Sequence, residues 1–201
     1  MKYIKKNFVF IICFCFISSA SSQIENRANI TKIRAAQKVK QMNDYISFMA
    51  SKKKSVDVRN KYIGYALKLF IGEGNSYEEN GIQKEGVIME VTSVNRSGKK
   101  TKELMREYFK RIVNLRYNDV NITSTDIAEI KISRLQKISD EQYVCTCQFD
   151  QAFTGYRDGR PIYKDITTKR VKCYITIDHT TRGDEYIIKL GDTEAIATKR
   201  A

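Results

Sequence analysis

The sequence predicts an α+β fold in which N-terminal helices pack on a curved, mostly antiparallel sheet. In the first half of the chain, apolar residues recur every three or four positions, the period of a helix with one buried stripe. From Asn121 onward they alternate with polar residues, the period of strands with one wet face. The punctuation agrees: 201 residues hold one proline and ten glycines, too few for several linked domains. No internal repeat is evident, and the length suits one domain with a sizeable core.

The first twenty residues read as an address. Lys2, Lys5 and Lys6 precede an unbroken apolar run from Phe8 to Ile17, and Ser18, Ser19 and Ala20 follow. That order predicts a secretory signal peptide over 1–20, cleaved near Ala20, and a periplasmic or secreted protein. The run is shorter than the roughly twenty residues of a membrane span. Cys13 and Cys15 do not follow small residues, as a lipid-attachment cysteine would. An uncleaved N-terminal anchor is the alternative.

Residues 21–53 are assigned to an N-terminal helix and 54–201 to the main α+β domain. Between Glu25 and Met49 the stripe is Ile30, Ile33, Ala36, Val39, Met42, Ile46 and Met49. After the basic break at Lys52, Lys53 and Lys54, Ser55 is placed to cap a second helix, with Asp57 in its first turn. Tyr62, Tyr65, Ala66, Leu69 and Phe70 give that helix its apolar side, and Gly72 and Gly74 end it. Asn75 to Gly81 reads as a polar loop and Val87 to Val94 as a strand. Ser97 to Thr101 reads as a helix-start turn. The third helix is expected over Thr101 to Leu115, with Leu104, Met105, Tyr108, Phe109 and Ile112 on one side.

Ile122 to Leu135 reads as one long, irregular strand. Tyr143, Cys145, Cys147 and Phe149 line one face of the next strand, and Val171, Cys173, Ile175 and Ile177 one face of the strand after it. Glu185 to Leu190 is the last. Both apolar sets occupy odd positions, so opposed residues must sum to an even number. A two-residue Asp158–Gly159 turn by itself would set apolar against polar, so an odd-length loop or a bulge is predicted at this tip. A loop centred on Gly159 puts Cys173 opposite Cys145; one centred a residue later puts it opposite Cys147. Either way the three sulfurs gather on the core face. They read as small core residues or as a cross-strand disulfide. No metal site is expected, because no fourth ligand is evident. His179, the single histidine, falls in the connection between the last two strands, where solvation is the simplest reading.

Two helices, a short strand region, a third helix and then antiparallel strands: over Lys54 to Thr198 this order resembles the nuclear transport factor 2-like superfamily. That is the cystatin-like cone shared with ketosteroid isomerase and scytalone dehydratase. The periplasmic domain of an assembly subunit of type IV secretion systems looks similar. The Val171 to Ile175 strand and the Gly155 to Gly159 tip also resemble uncharacterised secreted proteins of the Bacteroides group. The resemblance implies a sheet curled around a helix, with a pocket at the open end of the cone. Enzymes of the superfamily place an Asp or His in that pocket, but no such residue can be aligned here, so none is carried over.

The net charge is +13, and removing Lys2, Lys5 and Lys6 leaves +10 because no acid goes with them. For an exported chain this reads as a solvated basic surface with no partner, or as a match to an anionic surface or an envelope protein, and no nucleic acid is expected. A small apolar ligand is the other candidate. Tyr77, Phe153, Tyr156, Arg157, Asp158, Arg160 and Tyr163 are the candidate binding residues, since aromatics interleaved with arginine make good contact surfaces. No catalytic residue and no cofactor is assigned. Three functional readings follow. The first is an exported, non-enzymatic binding or assembly domain. The second is a pocket enzyme of the isomerase or dehydratase kind, which requires a buried carboxylate beside a Tyr or another donor. The third is a type IV secretion or conjugation subunit.

Overall fold

The apolar stripe of the first helix is where the core begins. The computed structural model describes residues 28–201, Ser97 and Arg182 excepted, so the signal segment and the anchor alternative lie outside the described residues. Helix α1 occupies residues 28–50 and buries Ala35, Ala36, Val39, Met42, Ile46, Met49 and Ala50, leaving Ile30 and Ile33 exposed. These side chains share one apolar cluster with the other helices and the sheet. No helix among the described residues is long and apolar enough to cross a membrane.

Helix α2, Val56–Leu67, starts where Ser55 Oγ accepts the Val58 N–H at 3.4 Å. Its buried Arg59 faces inward for a reason. The guanidinium donates to the carbonyls of Val113 at 2.5 Å, Met49 at 3.3 Å and Lys54 at 3.2 Å. It thus closes the C-terminal ends of α1 and of the third helix, where unpaired carbonyls and the helix dipole favour a cation.

The polar stretch after α2 is not a loop. Tyr77–Glu79 (β1) and Ile82–Lys84 (β2) form a hairpin across Asn80 (φ 52°) and Gly81 (φ 76°), a turn with both central residues left-handed. Glu79 anchors it to the outer face of the main sheet through Lys172 at 2.7 Å and the Tyr174 hydroxyl, and Lys84 of the hairpin itself closes on the same carboxylate at 2.5 Å. Burial raises the Glu79 carboxyl, but these three donors outweigh it and bring the pKa down to about 2.

Strand β3 covers Ile88–Val91 and β4 covers Thr101–Leu104. The third helix, α3, is Met105–Val113, four residues later than its apolar pattern predicts. Thr101 to Leu104 pair antiparallel with β3 instead, a case of tertiary pairing overriding local pattern. The expected helix-start turn therefore opens a strand. The single strand expected over Ile122 to Leu135 is also broken. It becomes β5 (Asp119–Ser124), a 3₁₀ turn, β6 (Lys131–Ile132) and β7 (Gln136–Lys137). Each piece pairs with a different stretch of the next strand in a different register, so no continuous strand can satisfy all three.

Strands β8 (Gln142–Arg157), β9 (Arg160–Thr180) and β10 (Gly183–Arg200) form the body of the sheet. Strand order is β4-β3-β10-β9-β8-β5, antiparallel except where β10 runs parallel to β3. The β8–β9 tip combines a two-residue Asp158–Gly159 turn with a bulge beyond Tyr156, and the register it sets places Cys145 opposite Cys173. In β10 a second irregularity between Leu190 and Thr193 moves the inward phase from Ile188 and Leu190 to Thr193 and Ala195. It also turns Asp192 so that its carboxylate accepts the Ile88 N–H at 2.8 Å, as bulges re-aim side chains.

Candidate functional site

The inner face of β9 changes character along its length. Ile175, Cys173 and Val171 are apolar, but the next residues in the same phase are Lys169, Thr167 and Asp165, all buried. Facing them on β8 are Phe149, Gln151 and Phe153. The apolar half is filled by the core. The polar half, with α3 and the β3–β4 pair, encloses a cavity of about 610 Å³. Tyr108, Ile112, Leu115, Tyr117 and Phe153 supply much of its apolar wall. Gly155 is required behind that wall, since a Cβ there would come within 2.5 Å of the Tyr117 ring.

Asp165 is 5% exposed and takes a hydrogen bond from the Tyr163 hydroxyl. That hydroxyl also lies 2.7 Å from Ser93 Oγ. Burial pushes the Asp165 carboxyl above its ordinary range, against the Tyr163 bond and the Lys169 charge, which pull it down. Burial and the bond to Asp165 push the Tyr163 phenol up to about 12. Lys169 is 4% exposed. Its ammonium sits 5.3 Å from the Tyr108 ring centre and 3.7 Å from Met89 Sδ. Burial and then the Arg111 charge bring its pKa down to about 8, with Asp165 and Glu103 opposing. Arg111 is itself engaged by Glu103, with Nε 3.1 Å from Oε1. One cavity therefore holds a carboxyl biased toward its protonated form, which suits proton transfer, and separately an amine biased toward its neutral form.

Of the binding residues expected from sequence, Phe153 and Tyr163 line this cavity, with their rings 5.6 Å apart. Arg157, Asp158 and Arg160 sit exposed at the hairpin tip beyond it and Tyr156 is half-buried there; none of the four is in the lining. Tyr77 packs against Gly72 instead. His179 is exposed and lies 2.8 Å from Asp184 Oδ1. Cys145, Cys147 and Cys173 are buried and free. Their sulfurs all lie within 4.8 Å of one another, with Cys147 and Cys173 Sγ 3.6 Å apart. Bonds to the neighbouring thiols and burial push the Cys173 thiol up, so it fills the core as a protonated group.

Asp165, Lys169, Arg111 and Gln151 were missed from sequence. The signal was phase. Extending the odd-numbered inward face of β9 back from Val171 runs straight through Lys169, Thr167 and Asp165, and charged residues in an inward phase line a cavity or need partners.

No protein-family model matches the chain, and no curated protein matches it. Solved structures are similar at low identity. One, from Novosphingobium aromaticivorans, is described as a candidate scytalone dehydratase. It has 12% identity and a TM-score of 0.41, with 88% of this chain and 91% of that chain covered. A Kribbella flavida protein has 7% identity and a TM-score of 0.36, with 83% and 93% covered. A second Novosphingobium aromaticivorans protein, described as a candidate aromatic ring hydroxylase, has 10% identity and a TM-score of 0.35, with 84% and 94% covered.

Proposed function

We propose that the chain is a small-molecule pocket protein whose chemistry is proton transfer of the isomerase or dehydratase kind. Asp165 is the general acid–base and Tyr163 the positioning donor. The observation that carries this reading is a buried carboxyl with a raised pKa, hydrogen-bonded to a tyrosine, opening on a cavity of about 610 Å³. The volume lies within the roughly 300–1,000 Å³ usual for ligand pockets. Of the three readings of the sequence, only the pocket enzyme requires such a carboxyl. The N-terminal pattern of residues 1–20 supports placing this activity outside the cytoplasm.

The test is solvent exchange. Enolisable aromatic ketones (1-indanone, 2-tetralone and 4-chromanone) are incubated with the protein in D₂O at pH 8, and deuterium uptake at the α-carbon is followed by NMR. Exchange above background is expected, falling about 100-fold or more in Asp165→Asn and less in Tyr163→Phe. Ketones that bind without exchange would favour the non-enzymatic binding domain. Exchange that survives Asp165→Asn would remove Asp165 from the mechanism.

A further inference from the structure

Lys169 is an anomaly that proton transfer at Asp165 does not need. Its ammonium is buried on the inner face of the sheet and lines the cavity, yet no carboxylate lies within 4.0 Å of it among the described residues. Its contacts are a thioether and an aromatic face. Fully buried lysines are almost always paired, so this one stands ready for an anion that arrives with a ligand. The surroundings limit that anion. Arg111 is held by Glu103 and Lys102, the other cation of the lining, is exposed, so Lys169 is the one buried positive charge on offer among the lining residues. Asp165 in the same cavity disfavours a dianion such as a phosphate monoester. Aromatic and aliphatic side chains form much of the remaining wall, which suits an apolar body.

We propose that the cavity binds a monocarboxylic acid with an aromatic or aliphatic body, its carboxylate seated on Lys169. The claim shares with the proton-transfer reading only the premise that the cavity is a ligand pocket, and it stands whether or not turnover occurs at Asp165. The groups facing the amine are Tyr108 and Arg111 from α3, Glu103 from β4 and Asp165 on its own strand. Its neighbours across the sheet, Phe149 and Ala195, do not titrate. A bound carboxylate restores the proton that burial disfavours, so binding must take up protons near pH 8. Affinity is expected to be greatest between the acid's own pKa and about pH 8, weakening above as the amine deprotonates.

The experiment is titration calorimetry of the folded protein with benzoate, 3-phenylpropionate and octanoate, each against its primary amide, in buffers of different ionisation enthalpy. The expected result is binding of at least one acid about tenfold or more tighter than its amide, a ratio set by a charge-assisted hydrogen bond. Uptake of about half a proton is expected at pH 8 and near none at pH 6, as an amine titrating at about 8 dictates. Lys169→Met should lose the preference and the proton uptake, and Lys169→Arg should keep the preference without the uptake. Equal binding of acid and amide, unchanged binding by Lys169→Met, or no binding of any acid overturns the proposal. None of these readouts depends on Asp165→Asn, so the two proposals fail separately.

Discussion

At the scale of single residues, the cavity is held open at a cost. The Lys169 pKa falls from 10.5 in the unfolded chain to about 8 in the fold. A lowered lysine contributes stability above pH 10.5 and loses it as pH falls through about 8, so at neutral pH the penalty is fully present. The shift corresponds to about 3 kcal/mol. Lys169→Met is therefore expected to stabilise the protein by about 2–3 kcal/mol at pH 6–7, with the difference closing toward pH 10. Urea unfolding at pH 6, 8 and 10 checks this, and a destabilised variant at pH 6 would contradict it. Neither Asp165 nor Lys169 was legible as a site residue, because each looks like an ordinary charged residue until the strand around it is extended to its full length. The thiols were legible, since their odd spacing and the parity of the hairpin bring them to one face whichever loop is chosen.

At the scale of elements, one side chain ties three helices together. Arg59 donates to carbonyls at the ends of α1 and α3 and to the segment between α1 and α2. Arg59→Met, similar in bulk but without donors, takes the guanidinium from the Met49 and Lys54 carbonyls, leaves the Val113 carbonyl with Lys52 Nζ at 3.3 Å, and is expected to cost about 2–4 kcal/mol. Arg59→Lys should recover part of this. Thermal unfolding followed by circular dichroism measures both, and a loss under 1 kcal/mol for Met would mean that water replaces the guanidinium. Long helical stripes and alternating strands were readable here because their periods repeat. Short pieces were not: β4 takes an apolar pattern that suits a helix, and β6 and β7 exist only because β8 offers them partners. The β1–β2 hairpin was readable in principle from Asn80–Gly81, the strongest short-range hairpin signal.

At the scale of the whole molecule, one core runs from α1 through the sheet to α3. Ile46, fully buried on α1, is as much a core residue as Ile175 on β9. Ile46→Ala is expected to cost about 2–5 kcal/mol in a single cooperative transition. A separate low-temperature step would show α1 melting by itself. The fold class was legible because helix-period and strand-period segments occupy different halves of the chain. The cavity was not, because it arises where α3 and β3–β4 meet the far end of β9, a meeting that no local pattern encodes.

The parallel pairing of β10 with β3 has a consequence in time. Strand β10, which follows every other described strand in chain order, lies in the middle of the sheet, with β9 on one side and β3 on the other. Until Gly183–Arg200 is available, β3–β4 and β5–β8–β9 are two separate ribbons with raw edges. Until then the chain can make hairpins but not the continuous sheet, whose two halves meet only through β10.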